Sequence, residues 1–413
     1  MAAFASRSGL SNAARITFIG ALLLFVVTIV IGILNGIDVY EPDHDTLITH
    51  VHAGTLGWIT LGVTSIALLM FSRDRDVSAD EASRATTMAK WMVGAITLYV
   101  AAFLVGDSVF DDRIQRPIAG TILFVVVVWF FRWLLQANKE YGGSSPTRLG
   151  FILSWVSLMV GAVFGIILGL FIAKGEVPGL SDDVAARVAD AHPPAMLVGF
   201  LLLAAFATVE WLLHSDKGST RSATIQMWLL FAAGIVLNIA FVAGKDEELA
   251  GPANLLMIVA VIMLLWRSRD ELKPDGWRNA GAGAFPRIAA LALVLALVLL
   301  TVLISWLIAG EIEFDALTES QEGLILSFDH SMFIGVMTNV LFGVLAVSIG
   351  SSRTALANRV LLWGVNIGFV GFAIGLITTT QVLKRISTPI MGAALLYGIF
   401  AYLMELREVT TDA

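Results

Sequence analysis

Six histidines and no cysteine define the chemistry open to this 413-residue chain. Three of the histidines, His52, His192 and His330, lie 140 and 138 residues apart, each at the start of a long apolar stretch and each preceded by an acidic loop. An imidazole buried at such a place needs a partner, most economically a metal or a carboxylate. The missing cysteine excludes disulfides, cysteine-ligated iron–sulfur clusters, thiolate copper and a covalently attached c-type haem. Any redox chemistry must therefore run on histidine-bound cofactors. Of the other histidines, His44 in an acidic loop and His214 at the end of an apolar run read as hydrated interfacial side chains. His50 lies two residues before His52. Positions i and i+2 of a helix point about 200° apart, so these two cannot ligate one metal from the same side, and one of them faces something else.

The elements that must position these residues are legible from composition. The chain is 57% hydrophobic and 14% charged, with a mean hydropathy of +0.84, against roughly 25% charged in soluble domains. Twelve apolar runs approach the ~20 residues that cross a bilayer. They fall near 15–35, 48–71, 88–106, 117–135, 149–173, 191–213, 222–243, 252–266, 286–309, 326–349, 357–380 and 389–405. The runs are continuous rather than alternating, which excludes a closed barrel. The expected fold class is an all-α polytopic membrane protein, a single membrane domain of about twelve transmembrane helices.

The histidine spacing divides those helices into three pseudo-repeated four-helix units, near 12–140, 146–270 and 284–407. Pro117, Pro252 and Pro389 keep the same beat, following their histidines by 65, 60 and 59 residues. They are expected in first turns, where the missing N–H costs nothing. Arg7 and Arg15 precede an apolar run too long for a signal-peptide core, so the first run is expected to remain as an uncleaved helix.

Orientation follows from the basic residues. An inner N-terminus and C-terminus put 19 of the 26 Lys and Arg on the cytoplasmic side of a cell membrane. The three repeat-marking histidines then lie on the outer side, where 20 of the 33 carboxylates also fall. An acidic outer face would steer a cytochrome or other basic redox partner toward it. Membrane lipid is the remaining expected partner, and nothing implies nucleic acid.

Several short motifs carry a family resemblance spanning nearly the whole chain. The run His50-Val51-His52-Ala53-Gly54-Thr55-Leu56-Gly57-Trp58 resembles the helix-2 motif of haem–copper oxidase subunits of the C type and of nitric oxide reductases. Ala191-His192-Pro193-Pro194 is similar to the Gly-His-Pro-Glu stretch that opens helix 6 in those oxidases. Phe328-Asp329-His330 falls where the superfamily has a His-x-His pair on helix 10. Lys384-Arg385, expected in the loop between helices 11 and 12, resembles the basic pair that binds haem propionates. The resemblance implies a low-spin haem held by His52 and His330, with His50 as the substitute if the register slips.

The departures from the pattern shape the expected function. Phe328 stands where the oxygen-binding haem would take its axial ligand, and the seventh run has no histidine where the oxidases place a copper-binding pair. His192 alone does not make a copper site, because copper in nitrogen ligation takes three or more such ligands. Carboxylates for a proton path are sparse, with Asp107 and Glu210 near opposite ends of their helices. The expectation is a haem-binding subunit of respiratory type with a degenerate binuclear site. Whether it is an oxidoreductase of oxygen or nitric oxide is left open. One alternative is a non-catalytic, nitric oxide-responsive or accessory haem protein, in which a five-coordinate haem on His330 faces a distal His192. The other is a cofactor-free transporter or structural subunit on the same scaffold. Trp58, Phe333 and Phe200 read as core first and cofactor walls second.

Overall fold

The computed structural model describes residues 10–73, 75–106, 112–140, 143, 145–214, 221–277, 281–312 and 316–408. Arg7 and Asp107 lie outside them. The described residues form twelve helices long and apolar enough to cross a membrane, and no strands. These are α1 (Ser11–Gly36), α2 (His44–Met70), α3 (Ala79–Leu104), α4 (Gln115–Glu140), α5 (Pro146–Lys174), α6 (Asp182–His214), α7 (Arg221–Ala243), α8 (Asp246–Arg267), α9 (Gly281–Ile308), α10 (Glu319–Ile349), α11 (Ser352–Ile377) and α12 (Gln381–Glu408). The protein is a multi-pass membrane protein.

Contacts divide the chain into two compact units. The first comprises Met1–Val93, Ser268–Leu299 and Ile312–Ala413, and the second Gly94–Arg267 and Leu300–Glu311. In the first unit the inner helices are α2 and α10, whose apolar windows are 89% and 83% buried. In the second it is α6, at 72%, while among the described residues no other span exceeds 50%. These are the three helices that carry the spaced histidines.

Each inner helix starts in a polar segment with a side-chain cap. Asp43 accepts from the Thr46 N–H at 2.7 Å, Ser181 accepts from the Val184 N–H at 3.4 Å, and Thr318 forms a capping box with Gln321. Such caps satisfy orphan N–H groups of the first turn. The histidines follow the caps by two to four turns, inside the apolar part of each helix. Gly175 and Gly350, at φ 73° and 62°, stop α5 and α10 in the left-handed conformation that suits glycine.

Past the histidines the three inner helices widen alike. Eight residues of each adopt π-helical pairing, at Ala53–Thr60, Ala195–Leu202 and Ser331–Thr338. Runs of this pairing are rare and cluster at functional sites. The Thr60 and Thr338 hydroxyls donate to carbonyls five residues back, those of Thr55 and Phe333, a reach that matches the wider turn.

Two expectations about helix starts need correction. Pro117 does lie in the first turn of α4, but Pro252 and Pro389 are inside α8 and α12. Both helices begin in polar residues one or two turns ahead of the apolar run, so hydropathy places their starts too late. The lost N–H at each proline would have met the carbonyl of Glu248 or Arg385, close to the helix end, where water is at hand.

Candidate cofactor-binding cavity

Five helices of the first unit, α1, α2, α10, α11 and α12, surround a cavity of about 340 Å³. Its wall is mainly apolar and includes Phe25, Ile29, Trp58, Phe333, Phe372 and Leu395. The polar exceptions are the informative ones. His50 comes from α2, Asp329 and His330 from α10, and Lys384 from α12.

His50 is locked to α1. Its Nδ1 lies 2.9 Å from the Thr28 carbonyl oxygen, while the Thr28 hydroxyl donates back to the His50 carbonyl at 3.3 Å. The ring rests against Gly32, where a Cβ would stand 3.1 Å from His50 Cε1. A carbonyl can only accept, so in the neutral ring the proton sits on Nδ1 and Nε2 keeps its lone pair. His330 reaches the same state by another route. Its Nδ1 donates to the Leu326 carbonyl one turn back at 2.7 Å, and its ring packs edge-on to Phe372 at 4.9 Å. Anchoring one ring nitrogen on a backbone carbonyl is how proteins aim the other nitrogen at a metal.

His52 is not among the residues lining the cavity. Its Nδ1 takes the Ile48 carbonyl of its own helix at 2.9 Å. Two residues apart on α2, His50 and His52 point to different sides, and the packing of His50 on Thr28 and Gly32 decides which one meets the cavity.

His192 belongs to the second unit, where it repeats the His50 arrangement. Its Nδ1 lies 2.8 Å from the Gly161 carbonyl of α5, and a Cβ on Gly165 would stand 2.8 Å from its Cε1. In both cases a carbonyl and a glycine four residues further on, both on the preceding helix, make the socket. Position within the helix agrees, because His50 and His192 each stand three residues before the π segment, whereas His52 and His330 stand one before it. The place in α10 that corresponds to His50 is held by Phe328, which is 8% exposed.

Lys384 and Arg385 are the fourth and fifth residues of α12 rather than part of the loop before it, because α12 starts at Gln381. Their partner is Asp38, in the turn after α1. It accepts from Lys384 Nζ at 3.1 Å and from Arg385 Nε at 2.7 Å. The Arg385 and Lys384 hydrogen bonds hold the Asp38 carboxyl below its ordinary value of 3.8. Nothing in the linear sequence joins residues 38 and 384, so this pairing is invisible before the fold is known. Asp329, quoted only as part of the helix-10 motif, also lines the cavity, and its place beside His330 is the signal for it.

The remaining sequence candidates fall elsewhere. Trp58 and Phe333 line the cavity, whereas Phe200 is buried in the second unit, edge-on to Trp155 at 6.4 Å. His44 is exposed at the start of α2, and His214 ends α6. Glu210 is 3% exposed and pairs with Arg267, with Gln226 Nε2 donating to it at 3.2 Å.

The ionisable groups of the cavity are two imidazoles, one carboxylate and one ammonium group. Among the described residues no group of three or more His, Cys, Asp or Glu could hold a metal ion. Two imidazoles suit an iron whose other four ligands come with a macrocycle, and an apolar wall with a cation at one end suits a flat apolar ring with acidic substituents. No protein-family model matches the chain, and no curated protein matches it.

Proposed function

We propose that this protein binds haem in the cavity of its first unit, where His50 and His330 would hold the iron and Lys384, aided by Arg385, would supply counter-charge for the propionates. One observation carries the reading. Two histidines on the two inner helices face one apolar cavity, each with Nδ1 fixed on a backbone carbonyl and Nε2 left to coordinate. Bound there, a haem would supply one-electron transfer. The chain's own part is to orient both rings, exclude water with Trp58, Phe333 and Phe372, and hold two negative charges at the polar end.

The recurrence of π pairing after the histidines of α2, α6 and α10 supports three four-helix units and, with them, the resemblance to the haem–copper oxidase superfamily. In this reading His192 is the remnant of a second centre, and the protein is an electron-transfer or accessory subunit of respiratory type. It sits in the cell membrane with both termini cytoplasmic, its haem is near the outer face, and a cytochrome or similar redox protein docks on that acidic side.

The test is the absorption spectrum of the protein purified in mild detergent after expression with added haem. A Soret band with sharp reduced α and β bands, about one haem per chain, and loss of both in His50→Ala and His330→Ala are expected. A protein without haem under these conditions overturns the proposal and leaves a cofactor-free scaffold or transporter.

A further inference from the structure

The cations that would meet a ligand's acidic groups are already engaged by the protein. Asp38 sits in the turn after α1 at φ 55°, a left-handed conformation that aspartate tolerates better than most side chains. From there its single carboxylate spans Lys384 Nζ and Arg385 Nε, one oxygen to each. The Lys384 side chain is 19% exposed and lines the cavity, so the ion-pair cluster reaches the cavity through Lys384, with Asp38 and Arg385 behind it.

The helices beneath it are held together without these charges. A Cβ on Gly36, the last residue of α1, would lie 2.5 Å from Thr388 Cγ2 of α12. Close packing of that kind is what holds helices together in a membrane. The ion pairs therefore fasten only the turn that follows α1, and their release would not open the bundle.

We propose that Asp38 is an internal competitor for the ligand's acidic groups: it latches the α1–α2 turn to α12, and a carboxylate-bearing amphiphile seats in the cavity only by taking Lys384 and Arg385 from it. For the ligand's identity this rests on the haem reading, in which the propionates are the competing groups. The exchange makes and breaks no covalent bond. One carboxylate replaces another on the same two cations, and the turn bearing Asp38 is freed. The latch keeps the polar end of the empty cavity charge-paired and reserves the site for ligands with acidic groups.

Competition and simple bracing predict opposite signs. Full-length protein, produced under haem limitation in detergent, is mixed with hemin to follow growth of the Soret band. The loaded protein is then mixed with excess apomyoglobin to follow haem loss. Two partly exposed charge pairs set the scale, so Asp38→Asn is expected to take up hemin roughly three- to tenfold faster and to bind it more tightly. Asp38→Glu should stay close to the unaltered protein. In a Lys384→Gln, Arg385→Gln background, Asp38→Asn should bring no gain, which separates competition from a general loosening of the turn. Slower uptake or faster loss in Asp38→Asn overturns the latch, as does the same gain in the cation-free background. A chain that takes up no hemin in any form overturns the haem reading and the latch together, whereas normal binding indifferent to residue 38 overturns the latch alone.

Discussion

Trp58 on α2 donates its indole N–H to the hydroxyl of Thr338 on α10 at 3.0 Å, joining the two inner helices of the first unit along the cavity wall. Trp58 is 1% exposed and stacks on Phe25 with centroids 4.6 Å apart, so the ring has no freedom to find another acceptor. Thr338→Val should strand that N–H in a dry interior at a cost of about 1–3 kcal/mol. Thr338→Ser, which keeps the oxygen, should cost less than half as much. Thermal unfolding in detergent decides it, and equal losses for the two variants would show that Trp58 does not depend on this bond.

The two histidine sockets make a matched pair of glycine substitutions informative. In Gly32→Ala the new methyl would press on His50 at 3.1 Å, and in Gly165→Ala on His192 at 2.8 Å. His192 must turn or shift and Gly165→Ala should lose stability, whereas His50 need give only by a few tenths of an ångström and Gly32→Ala should be the milder of the two. Only Gly32→Ala should perturb the haem bands, since only His50 lines the cavity. A spectral change in Gly165→Ala of equal size would mean that His192 also senses the bound haem.

His52 is the control that the linear sequence could not choose. The cavity meets His50 and His330, so His52→Ala should keep haem at near one per chain while His50→Ala should lose it. Haem lost from His52→Ala with His50→Ala unaffected would exchange the two roles.

What the sequence yields and what it withholds divide along physical lines. Twelve spans are legible because a bilayer demands long apolar runs, and each of the twelve runs overlaps one of the twelve long helices. Helix starts are less so, because α8 and α12 open in polar turns that hydropathy ignores. The choice between His50 and His52 depends on the carbonyl of Thr28 and the bare backbone of Gly32, partners on another helix. The π segments have no distinctive composition. Asp38 meets Lys384 across 346 residues of chain, a relation only the fold creates.

In the second unit, Glu210 on α6 and Arg267 at the end of α8 form a buried pair with side chains 4% and 15% exposed, and Arg267 also donates to Ser222 at 3.1 Å. Removing one member leaves the other charge without its main partner in a poorly hydrated place. Glu210→Gln should therefore destabilise the protein by about 2–4 kcal/mol, below the fully buried limit because Arg267 keeps some water. Glu210→Gln with Arg267→Met should recover much of the loss. Denaturation of the variants in mixed micelles measures both, and a double variant as weak as the single would mean that the pair serves only to fill space.

The Asp38 cluster makes a prediction in pH. Its carboxyl is held below 3.8 by Arg385 and Lys384, so the folded form binds its proton less readily than the unfolded chain does. The contribution is therefore fully present above the ordinary carboxylate range and falls away as the pH drops through the lowered value. The difference in thermal midpoint between the unaltered protein and Asp38→Asn should stay constant from pH 7 down to about 5, shrink below the ordinary 3.8 and vanish once Asp38 is protonated. Lys384 and Arg385, the cations facing Asp38, remain charged throughout this range. A difference that closes above pH 5 would mean that the carboxyl is not held down by its two cations, and the latch would lose the charge on which it depends.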